Sequence, residues 1–268
     1  MTDRIERTMK ELKMYFDKMI CEEFAEEEQN EKNFAVADAM DKVMMNEIKG
    51  FLDPLHVAEL GGGAHPDRYH KLFERLLKTN GKIDWVDISP VMLELARKYL
   101  KKYPERESVI NFTEKEIIGY LEDLPDNELD LAIMKYTFDH IKEIDVLIKL
   151  LSQKVKGVFV ANLTTMEPVL KSVSTNARYL YKGEEFPDNE TRTLEDGEAF
   201  GIRHLKVSGK PELGTIEGGE IVKYYYKPET IIEIGEKYGF EVFIGSWKEL
   251  VDSKENEVKQ NILVLRKT

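Results

Sequence analysis

Residues 55–69, LHVAELGGGAHPDRY, decide the fold, because a short apolar strand runs through a glycine turn straight into a helix. Val57, Ala58 and Leu60 supply the strand. Gly61, Gly62 and Gly63 allow positive φ and let the backbone approach a small ligand closely. Pro66 suits the first position of a helix over 66–78, and Asp67 places a negative charge in its first turn. Glu59 is the unusual member: an acid one residue short of the turn, facing whatever the glycines cradle.

The next strand, residues 82–88, reads KIDWVDI and ends in Asp87, followed by Ser89-Pro90 and a helical run over 91–99. A carboxylate there can accept from both hydroxyls of a ribose. A dinucleotide fingerprint, G-x-G-x-x-G, needs a last glycine for tight helix-to-strand packing, and Pro66 holds that place. Two alternatives stay open at this point. One is an NAD(P)-dependent oxidoreductase, which also uses a glycine turn and a ribose acid; the other is a noncatalytic scaffold that keeps the fold for a ligand or a partner subunit.

Three blocks carry a specific resemblance: Glu59 to Gly63 (ELGGG), residues 86–97 (VDISPVMLELAR) and residues 124–133 (LPDNELDLAI). With them the chain resembles the class I methyltransferases that use S-adenosylmethionine and release S-adenosylhomocysteine. The likeness spans about 55–163 and resumes at 224–240, YYYKPETIIEIGEKYGF, and at the final strand over 261–266. It implies a Rossmann-like α/β fold with a seven-stranded, mostly parallel sheet and an antiparallel last strand. Glu59 would then hold the ammonium group of the cofactor, Gly61, Gly62 and Gly63 would run beneath it, and Asp87 with Ile88 would take the ribose. Glu116 and Ile117 stand where the family meets the adenine, with Glu114 a close second to Glu116, and either acid can instead be a helix-start residue. Lys135 and Tyr136, at the end of the fourth strand, stand where the family puts groups near the transferable methyl, Lys135 as a cofactor contact and Tyr136 as a catalytic candidate. His140 follows as the candidate general base, since an unperturbed imidazole titrates near neutrality. The family motif usually ends in another glycine; His65 stands there instead.

Composition bounds the remainder. With 268 residues the chain can bury a sizeable core, and 42% hydrophobic residues without an apolar run near membrane length predict no membrane span. The N-terminus, MTDRIERTMKELK, has no signal-peptide core, so the cytoplasm is the expected compartment. One cysteine, Cys21, excludes an internal disulfide and a thiolate zinc cluster, and no metal is expected. A formal charge of −12 argues against a nucleic-acid surface. The small basic cluster of Arg97, Lys98, Lys101 and Lys102 closes a helix, where cations complement the dipole.

Four stretches organise the chain. Residues 1–50 read as two helices separated by a charged segment, a cover over the sheet in which Tyr15 and Phe16 are candidates to line the acceptor entrance. Residues 51–268 form the methyltransferase domain. Its nucleotide-type core has strands over 56–60, 83–88, 109–112, 129–135 and 158–162, with helices over 66–78, 90–102, 116–121 and 141–154. Residues 164–220, rich in glycine, charge and turn dipeptides, read as an insertion of loops with one or two hairpins that determines the acceptor. Within it Arg178 and Arg203, with Arg192, hint at a clamp for a carboxylate. A strand over 221–226, a helix over 228–237 and an antiparallel pair then complete the domain.

The region after the fourth strand also narrows the acceptor. Residues 134–137, MKYT, have neither the Asn/Asp-Pro-Pro-aromatic run of enzymes acting on adenine or amide nitrogen nor the cysteine of cytosine-carbon enzymes. The expected acceptor is therefore a nitrogen or oxygen atom of a small molecule.

Overall fold

The structure, a computed structural model, describes residues 31–163, 169–171, 177–181, 184–185, 191–204, 220–246 and 261–268. Helix α1 (Glu31–Glu47) opens the described chain and buries Met40, Val43 and Met44 at helical spacing. The core then alternates: β1 (His56–Leu60), α2 (His70–Thr79), β2 (Lys82–Asp87), α3 (Pro90–Leu100) and β3 (Ile110–Glu114). It continues through α4 (Ile117–Asp123), β4 (Leu129–Met134), α5 (Ile144–Lys154) and β5 (Val155–Leu163). The insertion follows as β6 (Val169–Lys171), β7 (Ala177–Tyr181), β8 (Glu184–Glu185), β9 (Thr191–Thr193), β10 (Ala199–His204) and β11 (Glu220–Tyr224). Helix α6 (Pro228–Lys237), β12 (Phe240–Ser246) and β13 (Asn261–Lys267) close the chain.

Seven strands form the main sheet in the order β12-β13-β5-β4-β1-β2-β3. Neighbours run parallel except β13, which is antiparallel to both β5 and β12. The fold is therefore the expected Rossmann-like methyltransferase architecture with a reversed last strand. Because side chains alternate along a strand, the two faces fill separately. Ala132 and Met134 join the layer beneath α4 and α5, while Leu131 and Ile133 join the layer with α1 and α2. The strand order reverses between β1 and β4, and that is where a crevice opens at the carboxyl ends of an α/β sheet.

The structure corrects several expectations. The helix expected over 66–78 is divided: Pro66–Arg68 form one 3₁₀ turn, Tyr69 leaves helical geometry at φ −91°, ψ 74°, and α2 begins at His70. The cause lies in α1, whose Asp41 carboxylate accepts from the N–H groups of Lys71 and Leu72 at 2.8 and 3.0 Å and so caps α2 from outside. The insertion is also more ordered than loops with one or two hairpins. Its described strands build an antiparallel sheet, β11-β10-β7-β8, and a separate pair, β6-β9. The strand expected over 221–226 is β11, and it pairs with β10 of this small sheet rather than with the core.

Candidate active site

The turn after β1 is held from below by the end of β2. Gly61 and Gly62 both donate their N–H groups to the Val86 carbonyl, at 2.8 and 2.9 Å. The Gly63 N–H donates to Asp87 Oδ2 at 2.8 Å, and the Trp85 indole N–H donates to the Gly63 carbonyl at 2.9 Å. Gly61 and Gly63 have φ of +76° and +60°. Gly62 is required for a different reason, since a Cβ there would lie 2.4 Å from Nε1 of the buried Trp85. Above Gly63 the space is open: a Cβ would meet only Met92 Cε, at 3.8 Å. His65, in place of the family glycine, has φ −120°, so the backbone there needs no glycine; its ring packs 4.5 Å from that of Tyr99.

Glu59 is fully buried at the tip of β1, and neither carboxylate oxygen makes a hydrogen bond of ordinary geometry. Its polar neighbours are Lys135, through charge and backbone N–H, and the Tyr69 hydroxyl, which is also fully buried and also makes no hydrogen bond of ordinary geometry. Burial pushes the Glu59 carboxyl up to about 8, against the opposing pull of Lys135. Uncompensated acids of this kind are costly in a core and cluster at functional sites. A cation with several N–H donors satisfies the pair, and the ammonium group of S-adenosylmethionine is such a cation.

Asp87 ends β2 with both oxygens engaged: Oδ2 accepts from Gly63 N–H and Oδ1 from Ser89 N–H at 2.9 Å. A carboxylate offers about four lone-pair sites, so fixing the turn and accepting from a ribose are compatible. Ile88 is partly buried beside it and Ile117 is buried at the start of α4. Glu116 takes the helix-start role that was its alternative. Its oxygens accept from Ile118 and Gly119 N–H at 3.0 and 2.9 Å, so it is the N-cap of α4, because a carboxylate at that position satisfies two otherwise orphaned donors. Glu114, at the end of β3, is the register partner of Asp87.

Across the crevice, β4 ends in Lys135, Tyr136 and Thr137. Lys135 is buried, with Nζ 5.8 Å from the centre of the Tyr136 ring. Tyr136 has φ +60°, a conformation that costs a non-glycine residue about 1–3 kcal/mol and that surrounding structure must hold in place. The Asn162 side chain accepts from its N–H, and the Thr137 hydroxyl donates to the Lys135 and Gly61 carbonyls at 3.0 and 3.3 Å. Trp85, Tyr69, Thr137 and Asn162 were not legible as site residues, because their roles come from contacts between segments distant in sequence.

His140 does not keep the near-neutral titration expected of a general base. Burial, reinforced by the nearby Lys223 charge, lowers it to about 3 although the carbonyls of Val222 and Tyr136 oppose the shift. Nδ1–H donates to the Val222 carbonyl at 2.8 Å, so the neutral ring ties the turn after β4 to β11 of the insertion. Arg178 and Arg203 are register partners on β7 and β10. Arg192 is engaged within the insertion, over the Tyr181 ring at 3.3 Å and 3.4 Å from Glu198. Tyr15 and Phe16 lie outside the described residues. Among the described residues no cluster of His, Cys, Asp or Glu is suited to a metal ion, and no helix is long and apolar enough to cross a membrane.

A glycine turn between acids at the tips of β1 and β2, on a sheet whose last strand is reversed, is a Rossmann-like arrangement of the methyltransferase type. Residues 59–157 match the family described as Methyltransferase domain, and the fold is that of the class I S-adenosylmethionine-dependent methyltransferases. The solved structure of magnesium protoporphyrin IX methyltransferase from Synechocystis PCC 6803 with bound SAM is similar at a TM-score of 0.58 and 12% identity. That match covers 99% of this chain and 100% of that chain. The CcbJ methyltransferase from Streptomyces caelestis gives 0.54 and 14%, over 87% of this chain and 96% of that chain. An S-adenosylmethionine-dependent methyltransferase from Listeria monocytogenes gives 0.51 and 16%, over 87% and 99%. At these identities the likeness is one of fold. No curated protein matches the chain significantly by sequence.

Proposed function

We propose that the protein transfers the methyl group of S-adenosylmethionine to a nitrogen or oxygen atom of a small-molecule acceptor. The observation that carries the cofactor half is Glu59, a buried carboxylate beside a glycine turn whose oxygens make no hydrogen bond of ordinary geometry. An ammonium donates to this acid and pairs with its ionised form, whereas a diphosphate has no N–H to offer it. When bound, the cofactor supplies an electrophilic methyl on a sulfonium, and the residues of this chain supply position. Glu59 fixes the ammonium, the glycine turn admits the chain close by, and Asp87 orients the ribose. Positioning of this kind supplies much of the rate of an in-line displacement between two bound reactants.

The acceptor half is supported by charge and by the insertion. A net charge of −12 disfavours nucleic acid, and residues 134–137 lack the proline-aromatic run of adenine and amide enzymes. The insertion is anchored at the turn after β4 by His140 to Val222, and by the Tyr226 hydroxyl, which donates to the Ile141 and Lys142 carbonyls. Its placement at that end of the sheet supports a role in choosing the acceptor. One fold neighbour is named for a porphyrin acceptor, magnesium protoporphyrin IX. The neutral His140 favours an acceptor that arrives already nucleophilic or loses its proton to solvent, with His140 as a positioning residue.

Thermal shift tests the cofactor assignment. S-adenosylhomocysteine at ~100 times its dissociation constant should add about 2.7 kcal/mol of stability, whereas NADH should add none; stabilisation by NADH alone overturns it. In calorimetry Asp87→Ala should weaken S-adenosylhomocysteine binding at least tenfold, while Asp123→Ala, at the exposed end of α4 with Lys115 as its partner, should leave it unchanged. Equal affinities of the two variants would move the pocket elsewhere. For the acceptor, a small-molecule library assayed for S-adenosylhomocysteine release, followed by the carbon shift of the transferred methyl, distinguishes N- from O-methylation.

A further inference from the structure

Glu59 and Tyr69 are both fully buried, come from separate segments and face one another, yet neither side chain makes a hydrogen bond of ordinary geometry. Two adjacent buried groups so poorly satisfied are each expected to cost stability, and one ligand with several donors would satisfy both at once. Tyr69 reaches this place because the chain leaves helical geometry at that residue between the 3₁₀ turn and α2. A continuous helix from Pro66 would carry it elsewhere.

Resting on the cofactor assignment above, we propose that Tyr69 and Glu59 form a single seat for the cofactor's ammonium group, and that Glu59 releases its proton to solvent when the ammonium enters. The O–H bond of the Glu59 carboxylic acid breaks, its proton passes to buffer, and the carboxylate pairs with the incoming cation; no other bond changes. The three N–H donors of an ammonium are shared between the carboxylate oxygens and the phenol oxygen. The charged and titratable groups that face Glu59 are Lys135 from β4 and Tyr69 itself, and behind Tyr69 lie Arg68 and, from α1, Asp41. Lys135 partly balances a Glu59 charge but does not supply it with a hydrogen bond from its side chain. Burial pushes the Glu59 carboxyl up to about 8, which keeps the proton on it at neutral pH until a closer cation arrives.

Calorimetry of S-adenosylhomocysteine binding at pH 7, in phosphate and in Tris, tests this, because the two buffers differ in ionisation enthalpy. The wild-type protein should show enthalpies that differ by close to one released proton per ligand, and affinity should tighten by up to about tenfold per pH unit between pH 6 and pH 7. Glu59→Gln should bind at least tenfold more weakly with no buffer dependence. Tyr69→Phe should bind about three- to tenfold more weakly while still releasing the proton. Methylthioadenosine, which keeps the adenosine and thioether but lacks the ammonium, should bind without buffer dependence and indifferently to Tyr69→Phe. Equal enthalpies for S-adenosylhomocysteine in the two buffers would overturn the proton release and leave the cofactor assignment standing. Buffer dependence that survives in Glu59→Gln would give the proton to another group and overturn it likewise. Unchanged binding in Tyr69→Phe would remove Tyr69 from the seat; if that variant does not fold, the methylthioadenosine comparison and Glu59→Gln still decide. No binding of S-adenosylhomocysteine to the wild type would overturn the cofactor assignment and the proposal with it.

Discussion

At the scale of single residues, Glu59 ties stability to pH in a direction opposite to most carboxylates. Its folded-state value of about 8 exceeds the ordinary 4.5, so between these two pH values the folded protein holds a proton that the unfolded chain releases. Folding stability therefore declines as pH rises from about 5 toward 8 and levels off above. Glu59→Gln removes the titration but keeps the shape. The variant and the wild type should melt together at pH 5, and the variant should melt several degrees higher at pH 9, each kcal/mol being worth about 2–4 °C at this chain length. Parallel melting curves for the two proteins across that range would show that the carboxyl does not titrate in the fold. Glu59 was legible in the sequence because an acid beside a glycine turn is chemically conspicuous. Tyr69 was not: in a helix read over 66–78 it is one more aromatic, and only the Asp41 cap, arriving from another helix, breaks the segment there.

At the scale of elements, the strands and most helices of the core were legible to within a few residues, since short apolar strands between capped helices carry local signals. Ser89 accepts from the Met92 N–H ahead of α3, and Gly239, at φ +80°, follows α6 where the sequence stops it. What was not legible is why the turn after β1 has three glycines. Two of them need positive φ, but Gly62 is fixed by tertiary contact with the indole of Trp85. Gly62→Ala should destabilise the protein by about 1–3 kcal/mol, because the rigid ring must move or the turn must lift. The same shift should also weaken S-adenosylhomocysteine binding, since Trp85 holds the Gly63 carbonyl. Gly50→Ala is the control: nothing lies within 4 Å of an added Cβ, so it should unfold at the denaturant midpoint of the wild type. Equal midpoints for both variants would mean that the turn is softer than its contacts imply. The insertion escaped sequence reading for the same reason as Gly62. β7, β10 and β11 find partners that are not the next strand along the chain or that lie across long connections, and local turn dipeptides do not encode such pairings.

Across the whole molecule, the two ends of the sheet handle buried charge in opposite ways. At the amino ends of the strands, His56 of β1 lies with Nε2 2.8 Å from Asp84 Oδ2 and Nδ1 2.9 Å from Glu128 Oε1. Tyr120 and Asn111 donate to Asp84 at 2.6 and 3.0 Å, and the His56 N–H donates to Asp130 at 2.8 Å. Burial would raise Asp84, but the bonds from His56, Tyr120 and Asn111 prevail and hold it down at about 2. Its contribution is therefore present above the ordinary carboxylate range and is lost as pH falls through about 2. At the carboxyl ends, Glu59 is left without a hydrogen bond of ordinary geometry and is raised instead. A network whose members are all satisfied specifies and stabilises a core, whereas an orphaned carboxylate does so only when its ligand is present. Stability and binding are thus separable by mutation. Tyr120→Phe removes one hydrogen bond to an ionised group and should cost about 1.5–3 kcal/mol in denaturant unfolding, with the dissociation constant of S-adenosylhomocysteine unchanged. Glu59→Gln at pH 9 should do the reverse, raising the unfolding midpoint while weakening the ligand. Measuring midpoint and dissociation constant on both variants places the two effects side by side; a loss of ligand affinity in folded Tyr120→Phe as large as that in Glu59→Gln would mean that the ends of the sheet are coupled and that this division does not hold.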